Sequence, residues 1–224
     1  MLYVVLGAPR TGTSAVAGML HKAGVYMGRY LNPPGHGNEA GFFEDLEFIS
    51  SNEVLLAQMG CDVYTPPTWA QLDGLVADGT AGAVTEYLHL KADLAREAGY
   101  EDWGFKDGRV CLLLPLYAPG LAWFECQFVV THRNPMACAR SFARVWPERF
   151  SHIAPVLALV AQYELSIASF LVDNRDRFEA GQWHAVHVSF EALTETPEET
   201  LDGLERALGL DLAREHLRPE LRHF

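Results

Sequence analysis

Gly7-Ala8-Pro9-Arg10-Thr11-Gly12-Thr13-Ser14 is the stretch on which the reading of this chain turns. It follows the apolar run Leu2-Tyr3-Val4-Val5-Leu6 and precedes a helix-like segment from Ala15 to Ala23, so the local order is strand, glycine turn, helix. Glycine lets the backbone come close to a ligand and adopt positive φ, and the first-turn amides of the helix have no intrahelical acceptors. With the positive end of the helix dipole, those donors favour a phosphate-like oxyanion. The spacing G-x-x-x-x-G matches the front of a nucleoside-triphosphate loop, but Thr13 and Ser14 stand where Lys and Ser or Thr should follow. Without that lysine the main cationic contact to a transferable phosphoryl group is missing, and Arg10 is the only cation in the loop. Arg10, Thr11, Gly12, Thr13 and Ser14 are therefore expected to hold an anion, without the usual triphosphate hydrolysis.

The rest of the composition narrows the class. A chain of 224 residues, 49% hydrophobic and 21% charged, can bury a sizeable core and reads as one α/β domain over residues 1–224. The formal charge of -12 disfavours nucleic acid as a partner, so cations near the loop act locally. The apolar start lacks a basic n-region, so no secretory leader is expected. The apolar stretch from Ile153 to Val172 contains Gln162 and Glu164, which argues for a buried or amphipathic helix over a membrane span. Cys61, Cys111, Cys126 and Cys138 show no C-x-x-C pairing and read as reduced packing residues of a cytoplasmic protein.

Further along, a Pro/Gly-rich loop from Asn32 to Gly41 carries His36, Asn38 and Glu39, and Phe42-Phe43-Glu44-Asp45 leads into helical spacing from Leu46 to Met59. Cys61 to Asp78 is left unassigned. Thr80 to Ala98 reads as a helix with Val84, Leu88, Lys91, Leu94 and Ala95 along one side. Trp103 to Asp107 is a short strand ending in charge, and Arg109 to Tyr117 a helix cut off by Pro119-Gly120. Phe124 to Thr131 is an interior strand ending at His132-Arg133, where Asn134-Pro135 opens a helix. Helical spacing from Ile153 to Arg177, a strand from Trp183 to Val188 and a helix from Thr200 to Leu208 complete the chain. Strands separated by helices imply a parallel sheet, whose ligands bind beyond the carboxyl ends of the strands. Arg10, Lys106 and Arg133 each follow or end a strand, so a parallel sheet brings three cations to one edge.

Such a ligand carries negative charge at separate points. Ser141 lies eight positions after Arg133, and a rise of ~1.5 Å per residue puts it roughly 9 Å beyond Pro135, able to meet a phosphate lying alongside. Here the sequence resembles the sulfotransferases that use 3′-phosphoadenosine 5′-phosphosulfate (PAPS). Ala8 to Ser14 looks like that family's 5′-phosphosulfate loop, and Arg133-Asn134-Pro135 with Ser141 like its 3′-phosphate motif. Gly41 to Glu44, Trp103 to Asp107, and Val188 to Leu193 with Pro197 resemble further stretches of bacterial members, in the family's order.

The resemblance implies a three-layer α/β fold with a central parallel sheet and P-loop-like sulfotransferase architecture. It implies PAPS as donor, 3′,5′-bisphosphoadenosine (PAP) as product, no metal, and a small-molecule or glycan acceptor. Lys106 would stabilise the transferring sulfuryl group, Arg10 the 5′-phosphate, and Glu44 would serve as base, with Glu39 and His36 as alternates. Phe190, Ala192 and Gly108 depart from the residues common in the family, which leaves His187 or Phe190 as the aromatic surface for adenine. Two other readings stay open: a P-loop-type kinase or ATPase, and a non-catalytic adenosine-bisphosphate-binding protein.

Overall fold

The N-terminal strand is central. In the computed structural model, which describes residues 1–35 and 38–214, Leu2–Leu6 (β1) lies between Trp103–Lys106 (β2) and Cys126–His132 (β3), and Trp183–Ser189 (β4) flanks β3. All three pairings are parallel, with Leu2 opposite both Trp103 and Cys126, and Cys126 opposite Trp183. Every residue of β1 is buried. A strand covered on both faces needs a continuous apolar run, as Leu2-Tyr3-Val4-Val5-Leu6 supplies.

The sheet separates two cores, which gives the three layers. Tyr3, Val5, Val129 and Val188 face Thr13–Lys22 (α1) and Pro197–Leu208 (α10) through Val16, Ala17, Leu20, Leu201 and Leu204. Val4, Leu6, Phe128 and Val130 face the larger core, which contains buried residues of Leu46–Gln58 (α2), Trp69–Ala77 (α3), Thr80–Glu97 (α4), Gly108–Leu121 (α5), Pro135–Val145 (α6) and Ile153–Asp173 (α7). Among the described residues α7 is long and apolar enough to cross a membrane. In this fold Val156, Val160, Tyr163 and Phe170 turn its buried face to that core. The four cysteines are free, and three of them are buried.

Several boundaries differ from the sequence expectations. The helix expected to end at Tyr117 runs through Pro115 and Pro119 to Leu121. Each proline removes a backbone donor, but Leu113, Leu114, Leu116, Tyr117 and Leu121 are all buried, and burial along the whole length holds the helix together. Gly120 allows α4 to approach, since a Cβ there would lie 3.0 Å from Thr85 Cα. The unassigned stretch contains α3, opened by a capping box in which Thr68 accepts from Gln71 N and Gln71 returns to the Thr68 backbone. The helical spacing after Ile153 breaks at Asn174 into α7 and Arg175–Glu179 (α8). The last helix begins at Pro197 rather than Thr200, and Phe190–Glu195 (α9) precedes it.

Candidate functional site

The glycine loop leaves β1 and enters α1 through two left-handed residues, Arg10 (φ 73°) and Gly12 (φ 93°). A Cβ on Gly12 would lie 2.8 Å from the Phe190 ring, and one on Gly7 would lie 2.1 Å from Thr131 Oγ1. Both glycines are thus fixed by close approach. The amides of Ala15 and Val16 return to the Gly12 carbonyl, while those of Thr13 and Ser14 have no acceptor among the described residues. No side chain caps α1. Its N-terminus consequently offers free donors and the positive end of its dipole to an anion. Thr11 turns inward: its hydroxyl bonds to Ala8 O at 2.7 Å and Thr131 Oγ1 at 2.6 Å, and its amide to Ala8 O. Thr11 braces the loop, and the hydroxyls left at its mouth are those of Thr13 and Ser14.

The second motif docks directly on the first. Arg133 Nη1 donates to Arg10 O at 3.1 Å, and Arg10 Nε donates to Ser141 Oγ at 3.1 Å, across 123 and 131 residues of chain. The Arg133 guanidinium lies 4.1 Å from the centroid of the Phe190 ring, a cation–π stack that orients it. Burial, and next the neighbouring Arg133, lowers the proton affinity of Arg10; burial does the same to Arg133. Two half-buried, neighbouring guanidinium groups make a positive potential that an anion would relieve. The α6 N-terminus is already satisfied, because Asn134 accepts from Met136 N and Ala137 N. Burial pushes the Cys138 thiol up to about 12, so no thiolate competes there.

At the other side of the loop, the buried ammonium of Lys106 reaches Glu44 Oε1 at 2.5 Å, Ser14 Oγ at 3.2 Å and Phe42 O at 3.5 Å. The strand-end lysine therefore touches both the anion loop and a carboxylate. Asn32 reaches Glu44 Oε2 at 3.4 Å, and its amide donates to Glu44 O at 2.7 Å. Glu39 is exposed, and His36 lies outside the described residues. The sheet thus brings Arg10, Lys106, Arg133, Ser14 and Ser141 to one edge in two hydrogen-bonded groups, Arg133–Arg10–Ser141 and Lys106–Ser14.

Further residues stand around this edge. Asp107 N-caps α5 and accepts from Asn52, which in turn accepts from Tyr117. Glu191 accepts from Asn134 N and Ser189 Oγ. His187 pairs with His132 at 2.7 Å, the rings stacked 5.0 Å apart. Phe190, by contrast, sits inside the site, between Gly12 and Arg133. No group of three metal-ligating side chains occurs among the described residues. A shallow cavity of about 550 Å³ opens at the opposite, amino-terminal edge, lined by Met1, Tyr100, Trp103 and Trp123, away from all three cations.

Fold and site together define an α/β protein whose parallel sheet carries Arg10, Lys106 and Arg133 at its carboxyl edge. A family model described as the sulfotransferase family matches residues 122–214, a segment that contains Arg133, Ser141 and Phe190. The sulfotransferase domain from the curacin biosynthetic pathway superposes with a TM-score of 0.56 at 17% identity, covering 98% of this chain and 77% of that one. The sulfotransferase domain from the Synechococcus PCC 7002 olefin synthase gives 0.55 at 16% identity, covering 97% and 76%. No curated protein matches the sequence significantly. The family model thus covers residues 122–214, less than half of the chain, and the superpositions show over nearly its whole length the fold of sulfotransferase domains.

Proposed function

We propose that this chain transfers a sulfuryl group from PAPS to a hydroxyl or amine of a small-molecule or glycan acceptor. The observation that carries the reading is the direct docking of the two anion motifs through Arg10, whose carbonyl receives Arg133 and whose side chain reaches Ser141. One adenosine bisphosphate, charged at two separate points, suits that arrangement. The free amides of Thr13 and Ser14 and the paired guanidinium groups fit such a donor without a metal.

The donor supplies an activated sulfuryl group: the acceptor oxygen or nitrogen forms the new bond to sulfur, the bond to the 5′-phosphate oxygen breaks, and PAP leaves. Thr13, Ser14 and Arg10 would hold the 5′-phosphate, and Arg133 with Ser141 the 3′-phosphate. Lys106, already on Ser14, would neutralise charge gathering on the leaving oxygen. Glu44, within hydrogen-bond reach of Lys106, would take the acceptor's proton. Since little covalent chemistry falls to the protein, the gain comes from positioning and preorganised charge.

Calorimetric titration with PAP, ADP and ATP, each with and without magnesium, tests the reading. Tight, magnesium-independent binding of PAP over ADP is expected. Magnesium-dependent preference for ATP would replace it with a kinase or ATPase, and PAP binding without transfer to any of a broad acceptor panel would leave a binding protein.

A further inference from the structure

Behind the site, away from the anion loop, lies a buried cation that the proposed chemistry does not use. Lys91, on α4, is 3% exposed. Its ammonium bonds Asp45 Oδ2 at 2.8 Å and Glu47, and it lies 5.3 Å from the ring centroids of both Phe48 and Tyr87. Burial alone would lower its proton affinity, but the bonds to the two carboxylates outweigh that and keep it charged.

Both members of the Lys106–Glu44 pair are one residue from a contact made by this clamp. Asp45 follows Glu44, caps α2 by accepting from Glu47 N at 2.9 Å, and fits against Gly28, where a Cβ would lie 2.5 Å from it. The backbone on either side is pinned as well, by Asn32 N to Glu44 O and Leu46 N to Tyr30 O. On the other branch, Phe48 stacks on Phe105 at 4.6 Å, and Phe105 precedes Lys106 on β2. Buried ion pairs can often be replaced by apolar groups without loss of stability, and in some proteins their role is to select one geometry.

We propose that Lys91 is a positioning residue that sets the spacing of Glu44 and Lys106, through Asp45 on one side and the Phe48–Phe105 stack on the other. The proposal rests on the reading of Glu44 and Lys106 as the reacting pair. Lys91 itself touches neither donor nor acceptor; it fixes where the base and the charge stabiliser stand.

The test compares the parent with Asp45→Asn and with Lys91→Met/Asp45→Asn. Asparagine keeps the cap acceptor and the volume against Gly28, and the double variant leaves no unpaired charge at position 45. Three quantities are read: amide hydrogen exchange at Asn32 and Leu46, affinity for PAP, and turnover of PAPS with whichever of 2-naphthol, an alkyl glucoside or an alkyl amine the parent sulfates. At least tenfold faster exchange at the two amides in the double variant, at least tenfold lower turnover, and PAP affinity within about twofold of the parent are expected, with smaller changes of the same sign in Asp45→Asn. Parental exchange and turnover in a folded double variant would overturn the proposal, as would turnover and PAP affinity falling in step, the mark of a merely structural clamp. If the double variant does not fold, Asp45→Asn, in which Lys91 keeps Glu47, decides by the same readouts. Amide exchange needs no reaction: loosened amides in variants of a parent that sulfates nothing would remove the proposed function and leave the clamp standing.

Discussion

Replacing Arg133 by alanine tests the junction of the two anion motifs. The guanidinium donates to Arg10 O at 3.1 Å and is oriented by the Phe190 ring at 4.1 Å. Its proposed partner is the 3′-phosphate. Hydrogen bonds to charged groups contribute about 1.5–3 kcal/mol, and 1.4 kcal/mol is a factor of ten. Affinity for PAP should therefore fall roughly tenfold to a hundredfold. ADP, with no 3′-phosphate, supplies the control: its affinity should change by no more than about twofold in isothermal titration. Parental PAP affinity in a folded Arg133→Ala protein would refute the reasoning, and an equal loss for PAP and ADP would assign Arg133 to the loop alone.

Lys106→Ala should lower turnover at least a hundredfold while PAP affinity changes only a few-fold, measured by single-turnover kinetics beside calorimetry. Glu44→Gln should remove the limb of the pH–rate profile that reports the base; an unchanged profile in steady-state assays would move that role to Glu39 or His36. Gly12→Ala forces a side chain into left-handed backbone and against Phe190 at 2.8 Å, so urea unfolding should show a loss of about 1–3 kcal/mol and PAP should bind less tightly as Phe190 shifts under Arg133. His21, His132 and His187 are all held below the ordinary imidazole value, first by burial. The unfolded chain then binds protons that the folded one refuses, so stability is full above roughly pH 6.5, the unfolded imidazole value, and declines as pH falls through the lowered folded values. Thermal melts should show that decline, and it should be shallower in His187→Asn.

The order strand, loop, helix at Leu2 to Ala23 was legible because each part has its own local mark: an apolar run, glycines, then helical spacing. Parallel pairing followed from helices between strands, and with it the gathering of Arg10, Lys106 and Arg133. The stop expected at Pro119 failed because a local rule met a nonlocal one; the burial of Leu116, Tyr117 and Leu121 is visible only once α4 and the sheet are in place. The capping box at Thr68 and Gln71 was present in the sequence but hidden among turn formers. Lys91 did leave a trace, as a lysine on the apolar side of its helix beside Leu88 and Ala95. Its partners, Asp45 and Glu47, lie more than forty residues earlier, and no periodicity within α4 points to them.

Backbone strain gives an independent view of the same edge. Among the described residues, Arg10 (φ 73°) and Phe43 (φ 54°) have left-handed backbone without being glycine. Such positions cost on the order of 1–3 kcal/mol each and persist where surrounding contacts over-determine them. At Arg10 the contacts are those of the anion motifs: the carbonyl meets Arg133 and the side chain meets Ser141. Phe43 stands just before Glu44, whose carbonyl is held by Asn32 and whose carboxylate meets Lys106. A chain free to relax would place glycine at both positions, as it does at Gly12, Gly28 and Gly41. A large side chain at each instead ties the strained backbone to a group the proposed reaction needs, arginine directly and phenylalanine through its neighbour. The two costs fall one beside the proposed 3′-phosphate site and one beside the proposed base, the two places that the proposed transfer would use.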